Sequence, residues 1–354
     1  MTRMVADLPK AHLHLHFTGS MRIGTLRDLA RRHDMHLPAA LQRQWPPTLS
    51  AADQRGWFRF QRLYDAARAC VRDESDMRRI VREAAADDAR EGSQWLEIQV
   101  DPTSYAPLVG GITPALEIIL DEAKAVSSTA EGGTQVAVVV AASRMKHAYE
   151  ARTLARLAAR YASDGPGGVV GFGLSNDEHR GTTSEFGRAF EIARRAGLAS
   201  VPHAGELLGP DHVAQALLSL APDRLGHGVR AVEDPTVLAQ AVDAGITLEL
   251  CPASNVSLGV YPDMASVPLP ALVRAGAQIA LGADDPLLFG SRLVDQYESA
   301  RHDHGFSDAQ LAQLARMSIA GSRAPAAIKD RLLAGVDTWL ADEPCAQPAG
   351  SPPV

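Results

Sequence analysis

Short apolar segments alternate with longer amphipathic stretches along most of the chain. The apolar segments are bounded by Gly, Pro or Asp and span Ala11–Phe17, Trp95–Pro102, Gln135–Ala142, Gly168–Ser175, Ala199–Gly205, Arg224–Arg230, Ile246–Pro252 and Gln278–Asp285. Stretches with helical spacing lie between them, among them Glu150–Ala162, Glu185–Ala196 and His212–Leu220. Apolar runs of strand length that alternate with helical repeats are typical of a parallel sheet. Eight such units predict a closed (β/α)8 barrel, the TIM-barrel fold.

The interval between the first and second predicted strands is much longer than the others and predicts an inserted helical segment. It contains Trp57, Phe60 and Tyr64, which fall at positions i, i+3 and i+7 and therefore share one face of a helix. This face either packs against the barrel or belongs to a helical lid whose aromatic side chains close an apolar substrate pocket. In the second interpretation Trp57 and Phe60 bind the substrate.

Length and composition are compatible with a single domain. The chain has 354 residues, of which 46% are hydrophobic and 22% are charged, and these are the proportions of an ordinary globular protein. An α/β barrel routinely exceeds 250 residues as one domain. We therefore expect residues 1–340 to form one barrel domain and the Pro-, Ala- and Gly-rich segment 341–354 to be a disordered C-terminal tail.

Charge and cysteine content indicate a small-molecule partner and a reducing compartment. The net charge is −7 without any block of Lys or Arg, which argues against nucleic-acid binding. Cys70, Cys251 and Cys345 are odd in number and lack C-x-x-C spacing, which argues against a disulfide framework. The N-terminus lacks the apolar core of a signal peptide, and no apolar run reaches the length of about 20 residues that a membrane span needs. We expect a cytoplasmic protein.

The first predicted strand carries three alternating histidines, His12, His14 and His16. Because strand side chains alternate with a period of two, all three point into the barrel. A lone interior histidine is more often a hydrogen-bonded core residue, but burying three imidazoles without a purpose is costly. Two imidazoles about 6.6 Å apart along the strand can reach one cation. The pattern indicates metal ligation by His14 and His16, with His12 packed beneath them or supporting them.

Further potential ligands stand where later predicted strands end. They are His203, Glu206, His227, Asp284 and Asp285. Taken singly, a Gly-His-Gly sequence is compatible with a turn, and Asp-Asp-Pro is compatible with a helix cap. Barrel enzymes, however, assemble their active sites at the carboxyl ends of their strands. Together these residues place imidazole and carboxylate groups around one rim, and that donor chemistry suits zinc.

At this point the chain resembles the adenosine deaminase family of the amidohydrolase barrels. The motifs that carry the resemblance are His14-x-His16, His203-Ala-Gly-Glu206, Gly226-His227-Gly228, Cys251-Pro-Ala-Ser-Asn255 and Ala283-Asp-Asp-Pro286, in the order of the family and over nearly all of the chain. The resemblance implies that Zn²⁺ is bound by His14, His16, His203 and Asp284. It also implies that Glu206 protonates purine N1, that His227 orients and deprotonates the water at the metal, and that Asp285 is an acceptor facing N7 and the hydroxide.

The chemistry of amine hydrolysis agrees with these residue types. Zinc lowers the pKa of its water from about 15.7 to about 7, which supplies a nucleophile at neutral pH. Attack at C6 breaks the aromaticity of the ring unless the adjacent nitrogen takes a proton, so a carboxyl group with a raised pKa is needed beside N1. The other zinc deaminase design, with H-x-E and P-C-x-x-C signatures, is excluded by the cysteine spacing.

Several positions depart from the pattern of adenosine-specific relatives. Thr18 replaces an acidic residue that accepts a hydrogen bond from the ribose 5′-hydroxyl, and Gln99 stands where arginine is common. Asn176 stands where the family often has a glycine whose backbone meets purine N3. Because the motifs for metal and acid–base chemistry are retained, these changes affect the specificity for the substrate.

Arg22, shortly after the first strand, has two interpretations. It is either a solvated cation on a helix surface or a ligand for a carboxylate on the substrate, since its planar guanidinium matches that group. Arg59 and Arg62 of the inserted segment offer the same chemistry. With Thr18, such a contact favours a substrate with an anionic 5′ substituent, such as the benzoate of 6-aminodeoxyfutalosine.

The sequence therefore predicts zinc-dependent hydrolytic deamination of the 6-amino group of an adenine nucleoside. Adenosine and a 5′-modified adenosine, as in the aminodeoxyfutalosine deaminase branch, are the candidate substrates. A metal-dependent amidohydrolase of an amide or ester is an alternative that Glu206 disfavours, because ring-nitrogen protonation needs such a residue. A non-catalytic deaminase-like binding protein is disfavoured because every catalytic residue type is retained.

Overall fold

The computed structural model describes residues 3–43, 45–49, 54–128 and 133–342. Eight parallel strands follow one another in chain order, each paired with the next. They are β1 (Lys10–His16), β2 (Ser93–Val100), β3 (Gln135–Ser143), β4 (Val169–Ser175), β5 (Ala199–Ala204), β6 (Arg224–His227), β7 (Thr247–Leu250) and β8 (Gln278–Leu281). A parallel bridge between Leu15 and Asp284 connects the region after β8 to β1. The chain therefore forms a nearly closed (β/α)8 barrel, which confirms the predicted fold.

Helices separate the strands, as the alternating pattern predicts. They are α1 (Ile23–Arg32), α2 (Ala39–Gln42), α3 (Gln54–Ala69), α4 (Glu74–Arg90), α5 (Ala106–Val109), α6 (Ile112–Ser128), α7 (Ala148–Arg160), α8 (Gly187–Arg195), α9 (Pro210–Leu220), α10 (Pro235–Asp243), α11 (Pro252–Ser257), α12 (Leu269–Arg274), α13 (Pro286–Phe289), α14 (Leu293–His302), α15 (Asp308–Gly321) and α16 (Ala326–Ala341). The three helices named from sequence correspond to α7, α8 and α9. Because helices cover the outside of the sheet and side chains fill its interior, the strands are buried on both faces.

The later strands end earlier than their apolar runs predict. The run through Arg230 becomes a strand only as far as His227, and the run through Asp285 ends as a strand at Leu281. His227 and Asp284 have φ angles of 63° and 60°, and a residue in the left-handed region cannot continue a strand. The residues that were wrongly predicted as strand are therefore those at which the chain turns out of the sheet at its carboxyl end.

Helices α1, α2, α3 and α4 occupy the long interval between β1 and β2. On α3 the ring of Phe60 stacks on Phe289 of α13, with centroids 5.4 Å apart and an interplanar angle of 8°. Trp57 and Tyr64 flank Phe60 at centroid distances of 5.0 Å and 5.8 Å. The aromatic face predicted from the i, i+3, i+7 spacing thus packs against the segment that follows β8, and it does so at the carboxyl end of the barrel.

The C-terminal part of the barrel ends with α16 at Ala341. The rest of the predicted tail, residues 343–354, lies outside the described residues, and so does Cys345. Cys70 and Cys251 are buried free thiols. Among the described helices, none combines the length and the apolar character that crossing a lipid bilayer requires.

A buried guanidinium joins β2, β6 and β7 inside the barrel. Arg224 donates from Nε to Glu249 Oε1 at 2.6 Å and from Nη2 to Glu97 Oε2 at 2.5 Å. The two carboxylates are fully buried and the arginine side chain is 2% exposed. Burying a charge without a partner of opposite charge is costly. Arg224, Glu97 and Glu249 can therefore be buried only because the cation lies between the two acids.

We predict that Arg224→Leu lowers the free energy of unfolding by about 3–5 kcal/mol, because Glu97 and Glu249 then remain as uncompensated buried charges. Guanidinium unfolding followed by circular dichroism measures the change. Arg195→Leu is the matched control, since the Arg195 side chain is 71% exposed beside Glu191, and it is expected to unfold at the wild-type concentration. A wild-type unfolding curve for Arg224→Leu would contradict the prediction.

Candidate active site

A cavity of about 420 Å³ opens at the carboxyl ends of the strands, the end of the barrel predicted for the site. Most of the predicted site residues line it: His16, Thr18, Trp57, Phe60, Asn176, His203, Glu206, His227, Asp284 and Asp285. Its volume lies within the range of small-molecule sites. Trp57 and Phe60 line this cavity while Phe60 also packs against α13, so the two interpretations of the aromatic face are compatible.

Nitrogen and oxygen donors from β1, β5 and the end of β8 converge at the base of this cavity. His16 Nε2 lies 3.2 Å from His203 Nε2 and 3.2 Å from Asp284 Oδ1. His14 Nε2 lies 3.5 Å from the same Asp284 oxygen and is buried. Tetrahedral zinc with bonds of about 2.0–2.1 Å separates its ligand atoms by about 3.3–3.4 Å. Three of the six separations among His14, His16, His203 and Asp284 are thus close to the length that tetrahedral ligation requires, and the donor types suit a divalent metal ion.

The imidazole of His14 is oriented from behind by Glu249. Its Nδ1–H donates to Glu249 Oε2 at 2.8 Å, so that Nε2 faces the other donors, the arrangement usual behind metal-binding histidines. Burial alone lowers the pKa of His14, but hydrogen bonds to Asp284 and Glu249 raise it to about 10. The surrounding carboxylates thus favour a positive charge at this position, which a metal cation satisfies as well as a proton. Sequence analysis missed Glu249, although an acid within the apolar strand Thr247–Leu250 is a detectable signal.

His12 supports the ligands, one of the two roles predicted for it. Its Nδ1 lies 3.0 Å from Asp88 Oδ2, and its Nε2 accepts a hydrogen bond from the backbone N–H of Ala283 at 3.0 Å. Ala283 directly precedes Asp284, whose backbone is in the left-handed region. Non-glycine residues in that region are strained unless their surroundings hold them, and the bond from Ala283 to His12 contributes to holding this one.

Glu206 and His227 face each other beside the convergent donors. Glu206 Oε2 lies 3.6 Å from His227 Nε2, and the same nitrogen lies 3.9 Å from Asp284 Oδ2. Burial lowers the pKa of His227 to about 4, so its imidazole is neutral at physiological pH. Burial and the negative charges of Asp284 and Glu178 raise the pKa of Glu206 well above its usual value. The two pKa shifts therefore favour the protonated form of Glu206 and the neutral form of His227, which are the forms of a general acid and a general base.

The pKa values of the adjacent carboxyls of Asp284 and Asp285 are shifted in opposite directions. Although burial opposes ionisation of Asp284, hydrogen bonds from His14 and His16 lower its pKa well below the usual value. Burial and the charge on Asp284 raise the pKa of Asp285, and Asp285 Oδ1 is buried without a hydrogen-bond partner. Environments that push neighbouring pKa values apart are typical of sites that assign different roles to like residues.

Two further predicted residues, Asn176 and Thr18, lie at the cavity in tightly constrained segments of the backbone. Asn176 has a φ angle of 80°, which is the conformation that favours glycine, the residue often found there in the family. Thr18 precedes Gly19, where an added Cβ would lie 1.7 Å from Asp285 Oδ1. The hydroxyl of Thr18 is hydrogen-bonded to the hydroxyl of Tyr105 at 2.5 Å. Both hydroxyls border the cavity, and sequence analysis had no signal for Tyr105.

Arg22 is not among the described residues that line the cavity. It precedes the first residue of α1, and its guanidinium donates from Nε and Nη2 to both carboxylate oxygens of Asp87 on α4, at 2.6–3.2 Å. Its predicted contact with the substrate is corrected on this ground, because the side chain turns toward α4. Of the two arginines predicted as substitutes, Arg62 lines the cavity, whereas Arg59 donates to Leu49 O at 3.1 Å.

The chain is similar over most of its length to purine deaminases. The family described as adenosine deaminase matches residues 9–339. A putative adenosine/adenine deaminase of Streptomyces coelicolor is 61% identical over 342 residues, covering 96% of this chain and 98% of that protein. An adenine deaminase of Rhizobium meliloti is 33% identical over 348 residues, covering 94% of this chain and 99% of that protein.

Solved structures agree with this relationship. The adenine deaminase of Arthrobacter aurescens superposes with a TM-score of 0.85 at 28% identity and covers 95% of this chain and 100% of its own. An amidohydrolase of Burkholderia ambifaria with bound zinc superposes with a TM-score of 0.82 at 24% identity, covering 96% of this chain and 94% of its own, and at that identity it shows the fold alone. By its match over residues 9–339 and its identity to full-length relatives, the chain belongs to the adenosine deaminase family and is a hydrolase that deaminates purines.

Proposed function

We propose that the chain catalyses zinc-dependent hydrolytic removal of the 6-amino group of an adenine nucleoside. The observation that carries the proposal is the position of the Glu206 carboxyl in a cavity of about 420 Å³, where its Oε2 lies 3.6 Å from His227 Nε2 beside the convergent donors. An amide or ester hydrolase on this barrel needs a nucleophile and a metal, but it has no use for an acid that protonates an aromatic ring.

The donor chemistry supports zinc as the metal. Three imidazoles and one carboxylate, His14, His16, His203 and Asp284, are nitrogen and oxygen ligands of the kind that zinc prefers. When bound, zinc supplies a nucleophile at neutral pH, because it lowers the pKa of a bound water from 15.7 to about 7. Glu249 would hold the His14 ring in the tautomer that presents Nε2 to the metal.

Proton movements follow from the protonation states of the side chains. Glu206 donates its proton to N1 while the hydroxide adds to C6, which keeps negative charge from building up on the ring. His227, neutral and next to Glu206, accepts one proton from the attacking water and passes it to the amino group, which leaves as ammonia. As the bond from C6 to nitrogen breaks, the new hydroxyl at C6 returns its proton to the Glu206 carboxylate, which restores both side chains and leaves a carbonyl at C6. Purine N7 is an acceptor, so Asp285 contacts N7 through its protonated form, which its raised pKa favours. Toward the hydroxide, Asp285 keeps the acceptor role expected from sequence.

The outer part of the cavity supports a nucleoside. Beyond the catalytic groups it is lined by polar side chains, among them Asp101, Ser104, Lys146, Asp177 and Arg180, which suit the hydroxyl groups of a sugar. Free adenine is the second candidate, because the Rhizobium meliloti and Arthrobacter aurescens relatives are named adenine deaminases. A 5′-modified adenosine with an anionic group is supported by the exposed guanidinium of Arg62 at the cavity wall, which takes the place first given to Arg22.

We predict about one zinc per chain in purified protein, and a loss of zinc in His16→Ala and in Asp284→Ala, because each removes one of the donors. Elemental analysis after dialysis measures the metal. His302→Ala is the matched control, since the His302 side chain is 72% exposed on α14, and it should keep the full zinc content. Full deaminase activity in metal-free protein would contradict the mechanism.

We predict that Glu206→Gln keeps its zinc but loses about 10² to 10⁴ in kcat, because the substitution removes the general acid and retains the shape of the side chain. Steady-state kinetics, followed by the change in adenine absorbance, measures the loss. Near-normal turnover would mean that another group protonates the ring. His227→Ala should likewise lower kcat more than it raises KM, since its proposed task concerns the water.

Substrate choice is tested by kcat/KM for adenine, adenosine and 6-aminodeoxyfutalosine in the wild type, Arg62→Met and Arg22→Met. A charged hydrogen bond contributes about 1.5–3 kcal/mol, so Arg62→Met should lower the value for the anionic substrate by about 10- to 100-fold and leave adenosine unchanged. Arg22→Met is the matched control outside the cavity. Equal slowing of all substrates by Arg62→Met would reject the anionic substituent, and a wild-type preference for adenine would reject the nucleoside, while deamination stands in both cases.

A further inference from the structure

Glu178, in the segment that follows β4, has its carboxylate buried beneath the loop that follows β5. Its Oε2 accepts hydrogen bonds from the backbone N–H groups of Leu207 at 2.6 Å and Leu208 at 2.8 Å. Its Oε1 accepts from the backbone N–H of Glu206 at 3.3 Å and from His212 Nδ1 at 3.2 Å. One carboxylate thus binds three consecutive backbone N–H groups and one imidazole.

The loop held in this way carries Glu206 and lies between secondary-structure elements. Strand β5 ends at Ala204 and α9 begins at Pro210, so no ladder of strand or helix hydrogen bonds places the residues between them. The chain turns at Gly205, whose φ angle is 76°. Successive N–H groups directed at one anion form a concave arrangement that holds the backbone in one conformation. The direction of the Glu206 side chain therefore depends on the Glu178 carboxylate, together with Arg230, which donates to the backbone oxygens of Gly205 and Leu207.

The same carboxylate begins a buried network that ends on a proposed metal ligand. His212 Nε2 is hydrogen-bonded to Thr183 Oγ1 at 3.0 Å, and Thr183 Oγ1 accepts from Arg144 Nη1 at 3.1 Å. Arg144 Nη2 then donates to the backbone oxygen of His203 at 2.6 Å. Since the network holds His203 at one end and the loop at Glu206 at the other, it determines how the acid sits relative to the metal donors.

We propose that Glu178 is a positioning residue for the deamination, which holds the loop at residues 206–208 so that the Glu206 carboxyl faces the purine ring. Glu178 is not among the described residues that line the cavity, so it acts through Glu206 and makes no contact with the substrate. Asn176, two residues earlier, does line the cavity, so one short segment both borders the purine and holds the acid. The inference rests on the acid role of Glu206 proposed above.

Glu178 is suited to this task because it stays ionised. Burial alone raises its pKa, but the hydrogen bond and charge of His212 and the N–H of Leu208 lower it to about 2. Glutamine has the same shape but only one acceptor oxygen, and its NH₂ group would face N–H donors. The substitution Glu178→Gln therefore removes acceptors from the loop while the side chain keeps its volume.

The test compares Glu178→Gln with Glu185→Gln, an exposed residue seven positions later that loses the same charge. Leaving buried N–H groups unpaired corresponds to about a 10- to 100-fold loss, which we expect in the kcat of Glu178→Gln, with KM within about threefold and zinc content at the wild-type level. Hydrogen exchange at the amides of Glu206, Leu207 and Leu208, measured by mass spectrometry, should accelerate in Glu178→Gln alone. Wild-type kcat, or unchanged exchange at these amides, would overturn the inference.

Glu178→Asp keeps the carboxylate on a side chain shorter by one methylene, and it should recover part of both kcat and amide protection. If Glu178→Gln does not fold, Glu178→Asp provides the test. A wild-type kcat in Glu178→Asp together with accelerated exchange at the loop amides would show that the loop conformation does not affect catalysis, and this would reject the inference. The kinetics of Glu206→Gln distinguish the two proposals. An active Glu206→Gln rejects the acid role itself, whereas an inactive Glu206→Gln with a fully active Glu178→Gln rejects only the positioning role.

Discussion

The interior of this barrel contains ionised groups, and the structure depends on pairing each of them where water is excluded. Arg224 binds Glu97 with one end of its guanidinium and Glu249 with the other, and Glu249 in turn orients His14. The donors at the base of the cavity are therefore continuous with the charges that stabilise the core. A buried charge has a low energy only when its ion pairs and hydrogen bonds keep one geometry. The pairing that stabilises the barrel therefore also makes its site rigid.

Rigidity at the strand ends is achieved against local backbone preference. His227, Asp284 and Asn176 all have φ angles between 60° and 80°, a region that costs non-glycine residues free energy. Each stands where the chain leaves a strand and turns a side chain over the cavity. The cost is offset by contacts elsewhere, such as the bond from Ala283 to His12. Buried carboxylates that accept several backbone N–H groups, as Glu178 does, serve the loops that have no ladder of their own.

The arrangement also separates chemistry from recognition. The acid, the base and the convergent donors lie on strand ends and the first residues after them, whereas the outer cavity is built by α3 and by loop residues such as Lys146 and Arg180. Strands are held by neighbours on both sides, but surface segments change without disturbing the barrel. A deaminase centre at the strand ends is therefore compatible with more than one purine substrate.

From the sequence alone, the alternating apolar runs predicted the barrel, which the structure confirms. The period-two histidines of β1 and the polar residues that end later runs identified the side chains that the structure brings together at one cavity. Such signals are local, because strand alternation and the common end of parallel strands follow from backbone geometry alone. Only the tertiary structure decided where the strands end and that Arg22 turns to Asp87 instead of the cavity. It also decided that Glu249 contacts His14 and that Glu178 holds the loop of Glu206. These contacts join residues far apart in the chain, and a charged side chain finds its partner only when folding has placed every competing partner around it.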